Sequence, residues 1–438
     1  MFYLNKDAEL TTDLLNKMIS EFHVTVVPKL TKNKNYYDGK QAILNKSYAD
    51  ASKPCNKTVM NYCKNIVDSY CGYIATPGCI SYKSENDITA ITDILKYNDH
   101  QAEDADLLQD ALIYGTAAEL MYLDSRSQVR FRTINPCSCF GIYDDSLTGD
   151  LMYFVRFYKA NAWDNGDLYN VDVYSNYDIK HYTMHGENGY LSFVADEPHY
   201  FSQCPANILV LPDEKNIFDC IVSLQDAANE LLSSEIDDYS AFCDAYLALV
   251  GVDADPEDVA AMKENRVLLL PEGASASWVT KSANDTQVEN ILKRIHDSIY
   301  RIAQCPDFSS ESFVGGVSSG VAIKYRLTGM ETKAGKIESL MRKALQRRIE
   351  IICGIATLKM GEDTFNDIDI IFQRNIPEDI NATVNLITKL KGTVSDATLI
   401  SQLPFISDVN TELSAVEAQK QSNMEMYNFG KVDEETEE

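Results

Sequence analysis

The chain has 438 residues, 45% of them apolar and 24% charged, which excludes a disordered or fibrous protein and calls for roughly two to four structural units rather than one core. Lys and Arg number 39 against 66 Asp and Glu, a formal charge of -27, so wrapping of nucleic acid by counterion release is excluded and any such contact must be local. No stretch approaches the ~18 uninterrupted apolar residues of a membrane span, and Met1–Leu10 is charged and lacks the apolar run of a signal peptide, so a soluble protein with reduced thiols in a cytoplasm is expected.

Over residues 1–215 helical and strand patterns are interleaved. Thr58–Tyr73 and Ala102–Tyr122 carry helical periodicity, while Val129–Ile134, Leu151–Tyr158 and Val171–Tyr174 cluster β-formers, which predicts one α+β domain. Its many tyrosines, among them Tyr36, Tyr37, Tyr62, Tyr70 and Tyr73, read as amphipathic residues at domain and subunit boundaries rather than as platforms for bases. From Asn216 the pattern changes. Ile217, Ile221, Leu224, Ala228, Leu231, Tyr239, Phe242, Tyr246 and Leu249 predict one helix over 216–250, a rod of roughly 50 Å. A turn-rich insert follows over 251–283, with strands predicted at Val267–Leu270 and around Trp278–Thr280 on either side of Pro271-Glu272-Gly273. Asn284 with Gln287 forms a capping box for a second helix, over 284–304, striped by Val288, Ile291, Ile295, Ile299 and Ile302. The expectation is two helices joined by a small β-containing tip.

Residues 305–320 form a Ser- and Gly-rich loop, and a long helix follows from Val321 to about Ile355, with Gly329 and Gly335 as candidate kinks. Ile368–Phe372 reads as a strand closing a 321–374 segment. Short helices are expected over 375–422 and an acidic, disordered tail over 423–438.

Chemistry-bearing motifs are missing. The run Gly315-Gly316-Val317-Ser318-Ser319-Gly320 precedes a helix but lacks the Lys-Ser/Thr ending of a P-loop, and the six histidines are scattered. Among eleven cysteines, Cys55, Cys63, Cys71 and Cys79 recur every eight residues and Cys137 and Cys139 sit two apart, none with zinc spacing. No catalytic residue, metal or cofactor is predicted. A nucleic-acid-processing enzyme and an acidic structural adaptor that never meets DNA remain the competing classes, and the first lacks both metal-binding carboxylates and a basic pocket. Charge is nevertheless segregated. From Asn216 to Met262 there is no Lys or Arg but eleven acids, including Glu230, Glu235, Asp237 and Asp238, whereas 322–350 is basic, with Lys324, Arg326, Lys333 and Lys336 among its cations.

Several blocks carry a likeness. They are Tyr36-Tyr37-Asp38-Gly39-Lys40-Gln41, Lys53-Pro54 with Asn56-Lys57 and Asn61-Tyr62, Ile66-Val67-Asp68 with Gly72-Tyr73, and Tyr114-Gly115 with Glu119. Further on come Ser318-Ser319-Gly320-Val321-Ala322-Ile323-Lys324-Tyr325, Arg347-Arg348-Ile349-Glu350 and Phe372-Gln373-Arg374-Asn375-Ile376-Pro377. In this order, over roughly 30–420, the chain resembles the portal proteins of tailed bacteriophages, in particular the siphophage family of Gram-positive hosts. Cys55 and Cys63 depart from the polar or small residues expected there.

The resemblance implies a predominantly helical α+β subunit: a wing from 1–215 joined by 321–374, a stem from 216–250 and 284–304, a clip from 251–283, a tunnel loop from 305–320 and a modest crown from 375–422. It implies a closed ring of twelve copies at one capsid vertex, assembled in the host cytoplasm and carried in the virion, with double-stranded DNA passing through it. The implied partners are the terminase large subunit, a head–tail adaptor, and the major capsid and scaffolding proteins, with motor activity outside this chain. The residues that fall in these places are Ser309, Ser310, Ser312, Val317, Ser318 and Ser319 in the tunnel loop; Glu230, Glu235, Asp237 and Asp238 lining the stem; Lys324, Arg326, Lys333 and Lys336 toward DNA or a neighbouring copy; and Leu268, Leu270 and Trp278 in the clip toward partners.

Overall fold

A computed structural model describes residues 2–50, 53–160, 167–187, 189–242, 246–250, 275–279, 285–310, 320–360, 367–374, 380–400, 403, 409 and 412–421. The chain divides into one unit of Met1–Ser310 with Leu327–Arg374 and a second of Glu311–Arg326 with Asn375–Glu438. The class is α+β with more helix than strand, as expected.

The first unit begins with β1 (Phe2–Leu4), α1 (Thr12–Glu21), a π-helical turn at Phe22–Val26 and α2 (Val27–Tyr37). Then come α3 (Tyr62–Ile74), β2 (Ile80–Lys83), α4 (Thr89–Tyr97) and α5 (His100–Tyr114). α3 starts at Tyr62 rather than Thr58, because Asn61 caps it by accepting the Lys64 N–H at 3.1 Å and the chain before it stays extended. The helix predicted to run to Tyr122 stops at Tyr114. Gly115 takes a left-handed φ of 86°, and the residues after it continue as a strand buried on both faces over Ala117–Met121.

That strand, β3 (Thr116–Leu123), pairs with β4 (Val129–Ile134) and β10 (Ala206–Val210) in a three-stranded sheet of order β10-β3-β4. The intervening β5 (Cys139–Asp144), β6 (Leu151–Lys159), β7 (Leu168–Tyr174), β8 (Asp178–His185) and β9 (Leu191–Pro198) form an antiparallel meander, which β1 extends by pairing parallel to β5. Where the two sheets meet, Ala118, Leu120, Leu151, Phe154, Tyr174 and Cys204 pack into one core, with about 1.5–3 kcal/mol of transfer free energy for each large apolar side chain buried.

After β10 come α6 (Val222–Phe242), β11 (Tyr246–Val250), β12 (Ser275–Val279), α7 (Asp285–Ala303) and α8 (Gly320–Met360), then β13 (Asp369–Phe372), which pairs antiparallel with β2. The rod predicted over 216–250 is therefore shorter than expected. α6 spans Val222–Phe242, and Tyr246 and Leu249, which fitted the helical spacing, belong instead to a strand that pairs with Ser275–Val279. The predicted Val267–Leu270 strand, the turn at 271–273 and the Asn284 cap lie outside the described residues. α8 runs as one helix through Gly329 and Gly335, the candidate kinks, and buries a stripe of Leu327, Met330, Ala334, Ile337, Met341, Leu345 and Ile352. Its C-terminal half packs Ile349, Ile352 and Ile355 against Ile91, Leu95, Met121 and Phe131.

The second unit holds α9 (Ile380–Leu390), α10 (Asp396–Ile400) and a helical stretch at 412–421. The predicted tail over 423–438 lies outside the described residues.

Gly115 gives the first test. A Cβ there would stand 2.5 Å from the Glu214 carbonyl oxygen, at a φ that L-residues avoid. Gly115→Ala is expected to cost about 2–4 kcal/mol from the left-handed penalty and the clash together. The check is the urea midpoint followed by circular dichroism, which an unstrained site would leave unmoved.

Candidate functional site

The α6–α7 pair is where the charge pattern, the likeness and the architecture meet. One stripe of α6 is polar and yet buried: Gln225, Asn229 and Ser233 are 0% exposed and Asp237 7%. Spaced by four, these side chains lie on one helical face. Opposite them runs the extended segment 56–62, in the reverse direction. The Tyr62 N–H is accepted by Gln225 Oε1 at 3.0 Å, the Met60 N–H by Asn229 Oδ1 at 2.8 Å, the Thr58 N–H by Ser233 Oγ at 3.0 Å and the Asn56 N–H by Asp237 Oδ1 at 2.5 Å.

The ladder works because two periods nearly coincide: two extended residues advance about 6.7 Å and four helical residues about 6.0 Å. Every second backbone amide of the strap thus meets one turn of the helix. Gln225 also donates to the Met60 carbonyl, and Asn229 Nδ2 donates to Gln41 Oε1 at 2.6 Å. The Gln41, Asn56 and Asn61-Tyr62 blocks of the sequence are thereby explained as parts of one joint.

This geometry redistributes the acidic candidates. Asp237 does not present a bare carboxylate. It accepts from Asn56 Nδ2 at 2.8 Å and Tyr48 Oη at 3.1 Å and pairs with Lys46 Nζ at 3.2 Å. Burial opposes its charge, but these donors outweigh that and hold it below the usual carboxylate range. Glu230 pairs with the same ammonium at 3.2 Å but stays exposed, Glu235 is half-buried, and Asp238 is exposed. Lys46 is thus the ion-pair partner that Glu230 and Asp237 share, and Glu230 also accepts from Ser234 Oγ at 3.3 Å.

Apolar surface on the pair is left uncovered. Tyr239 is 75% exposed, Ile302 47% and Ile291 40%, and Leu224, Leu231 and Ile295 are half-buried. A helix hairpin of a closed monomer would hide such a flank.

The cations divide too. Lys324, Arg326 and Lys336 are exposed on α8, whereas Lys333, expected to face DNA or a neighbour, turns inward. Its Nζ donates to the Ile217 carbonyl at 3.2 Å and the Ala303 carbonyl at 3.4 Å, above the Tyr70 ring, and burial lowers its pKa although the Cys220 and Cys305 thiols oppose this. Arg348 entered the sequence reading only within the Arg347–Glu350 block, with no sign of its buried role. It is fully buried, bonded to Asp104 and, through Nε, to Glu119 at 3.0 Å. Burial pushes the Glu119 carboxyl upward against the pull of Arg348. A cation in a basic helix carries no signal of its side; only the contact reveals it.

Of the tunnel-loop residues, Ser309 and Ser310 form a turn on Asp307, which accepts from Ser309 N at 3.0 Å and Ser309 Oγ at 2.6 Å, while Ser310 Oγ donates to the Asp307 carbonyl at 2.9 Å. Ser312, Val317, Ser318 and Ser319 lie outside the described residues, as do Leu268 and Leu270. Trp278 stands on β12 opposite Leu247. Among the described residues no group of three or more His, Cys, Asp or Glu could hold a metal, and no helix is long and apolar enough to cross a membrane.

Two comparisons bear on this arrangement. The family model described as "Phage portal protein, SPP1 Gp6-like" matches residues 16–426. The chain is also similar to the portal protein of Bacillus phage SPP1, at 21% identity over 464 residues, covering 96% of this chain and 88% of the relative.

Proposed function

Since this chain belongs to the SPP1 Gp6-like family of phage portal proteins, we propose that it closes into a dodecameric ring at one capsid vertex and forms the channel for DNA packaging and ejection. In this reading α6 and α7 are the stem, the β11–β12 hairpin and the chain between them the clip, residues 305–320 the tunnel loop, the two sheets with α8 the wing, and residues 375–422 the crown. The terminase large subunit and a head–tail adaptor dock at the clip, and the major capsid and scaffolding proteins surround the wing. No catalytic group or cofactor is assigned.

The observation that carries the reading is the uncovered apolar flank of the α6–α7 pair. Copies arranged head to tail would bury Tyr239, Ile291 and Ile302 against a neighbour, and a heterologous contact of this kind forms a ring when the rotation between copies closes. Glu230, Glu235 and Asp238 then remain as the acids that keep phosphates off the channel wall; Asp237 is withdrawn from that set because it is buried at the strap. Lys324, Arg326 and Lys336 keep the proposed role toward DNA or an adjacent copy.

The tunnel loop supplies the test. Removal of residues 312–318 is expected to leave procapsid assembly intact while the DNA packaged or retained falls about tenfold, because the loop's hydroxyls position phosphate without reading sequence. Full-length packaging by the shortened chain would exclude the loop from the channel.

A further inference from the structure

Two features of the first unit are complementary. One is the turn between β5 and β6, whose Leu147 is more exposed than any other large apolar side chain among the described residues. Single exposed leucines are ordinary on protein surfaces, but this one is held in place. Ser146 Oγ donates to Asp144 Oδ1 at 2.7 Å and lies 2.7 Å from Thr148 Oγ1, and the Asp144 N–H donates to the Asp150 carbonyl at 2.9 Å. Asp144 is buried and anchors the base of the turn, while Asp145 and Asp150 flank the leucine in solvent. The result is an apolar knob with a carboxylate on either side.

The other is a cleft of about 720 Å³ between the two sheets. Residues of β3 and β4 line it from one sheet and residues of β6, β7 and β8 from the other, with 197–201 completing the lining. Ile134 and Ile179 are half-buried there, and Tyr122 is 40% exposed. Its charge is the reverse of the chain's. Among the described residues Arg132 and Arg156 line it against one carboxylate, Glu197, which lies 3.5 Å from His181 Nε2; the other nitrogen of that ring binds the buried Asp172 at 2.7 Å. The buried Glu103 holds the Arg132 guanidinium, but 61% of the arginine side chain stays exposed, and Arg156 lies over the Tyr158 ring at 4.5 Å. In a chain of formal charge -27, a cleft with this balance favours an acidic occupant.

A copy cannot fill its cleft with its own tip. Arg156 lies five residues along β6 from Leu151, about 17 Å from the tip end of the strand, and a strand paired on both edges does not fold back. A neighbouring copy can. Resting on the portal reading above, we propose that the cleft receives the Leu147 tip of the adjacent copy, with the leucine against Ile134 and Ile179 and with Asp145 and Asp150 toward Arg132 and Arg156. Tip and cleft are different patches, so the contact is heterologous and runs in one direction around a ring, a second attachment beside the α6–α7 flank. A neighbour already held by that flank presents the tip at high effective concentration, so a small contact suffices.

Because the tip is exposed, it can be altered without disturbing the fold. The test uses the full chain. In one arm a photoreactive benzophenone side chain replaces Leu147, and rings mixed from isotope-labelled and unlabelled copies are illuminated. Mass spectrometry is expected to find position 147 of one copy linked to peptides of another that carry residues 120–134 or 197–201. Links confined to other surfaces, or to a capsid or scaffolding protein when the same variant is illuminated in procapsids, would overturn the proposal. In the other arm Leu147→Asp is expected to raise the protein concentration at half-assembly by about tenfold or more, the factor that one buried leucine represents, while the circular dichroism of the unassembled chain is unchanged. Leu147→Met should assemble like the wild type, and Tyr122→Ala should fall between. Asp145→Asn with Asp150→Asn should lessen the salt dependence of assembly. Equal assembly by Leu147→Asp and the wild type overturns the contact. If the wild type forms no ring, the portal reading fails and the contact with it; if it forms rings that Leu147→Asp leaves unchanged, only the contact fails.

Discussion

Arg348→Ala is expected to destabilise the first unit by about 3–5 kcal/mol, the range for removing one partner of a buried ion pair. The guanidinium is wholly enclosed, bonded to Asp104 and Glu119, and lies 4.5 Å from the Phe131 ring. It joins α8 to the consecutive elements α5 and β3, whose Asp104 and Glu119 lie 244 and 229 residues before it. Without it two carboxylates face each other away from water, so the cost arises from their uncompensated charge more than from the lost attraction. A second variant separates these contributions. Arg348→Met with Asp104→Leu and Glu119→Leu removes every charge together, and it is expected to recover most of the loss, since well-packed apolar replacements of buried ionic groups are often neutral or better. Urea unfolding followed by circular dichroism reads both. A loss under about 1 kcal/mol for Arg348→Ala would mean that the site is wetter than its burial states.

The second large effect is expected at the strap. Asn229→Leu strands the Met60 N–H and Gln41 Oε1, two buried polar atoms, at about 1–3 kcal/mol each. Ser233→Ala strands only the Thr58 N–H and should cost less. Amide exchange gives the more specific reading. In the wild type the alternate amides of Asn56, Thr58, Met60 and Tyr62 are each covered by α6, so they should exchange slowly, and Lys57 and Val59 faster. In Asn229→Leu the protection of Met60 should collapse first. Uniform exchange along 56–62 in the wild type would show that the ladder does not hold the strap.

Much of the first unit was legible in the sequence because its elements announce themselves locally. Val129–Ile134 alternates as a half-buried strand should, and the α8 stripe from Leu327 to Ile352 follows the helical period over about seven turns. The errors came where two patterns coincide. Ala117, Ala118, Leu120 and Met121 continue a helical spacing past Tyr114, and only the left-handed Gly115 decides against it. Tyr246 and Leu249 extend the α6 stripe just as well as they form β11; pairing with Ser275–Val279 decides.

The site was less legible, for a different reason. Gln225, Asn229, Ser233 and Asp237 look like the solvated face of an amphipathic helix, since what they bind is an extended backbone more than 160 residues away. Lys333 and Arg348 sit in a helix rich in cations, and nothing in their neighbours says that one pins two carbonyls and the other neutralises two buried acids. The likeness to portal proteins rested on these same blocks, and the ladder supplies a physical reason for part of it.

The central claim is ring closure. The measurement that tests it most directly is native mass spectrometry of the purified chain at micromolar concentration, with negative-stain electron microscopy of the same sample. The uncovered flank of α6 and α7 predicts one dominant species near twelve or thirteen copies, seen end-on as a ring with an axial hole. A stable monomer that shows no larger species would contradict the account.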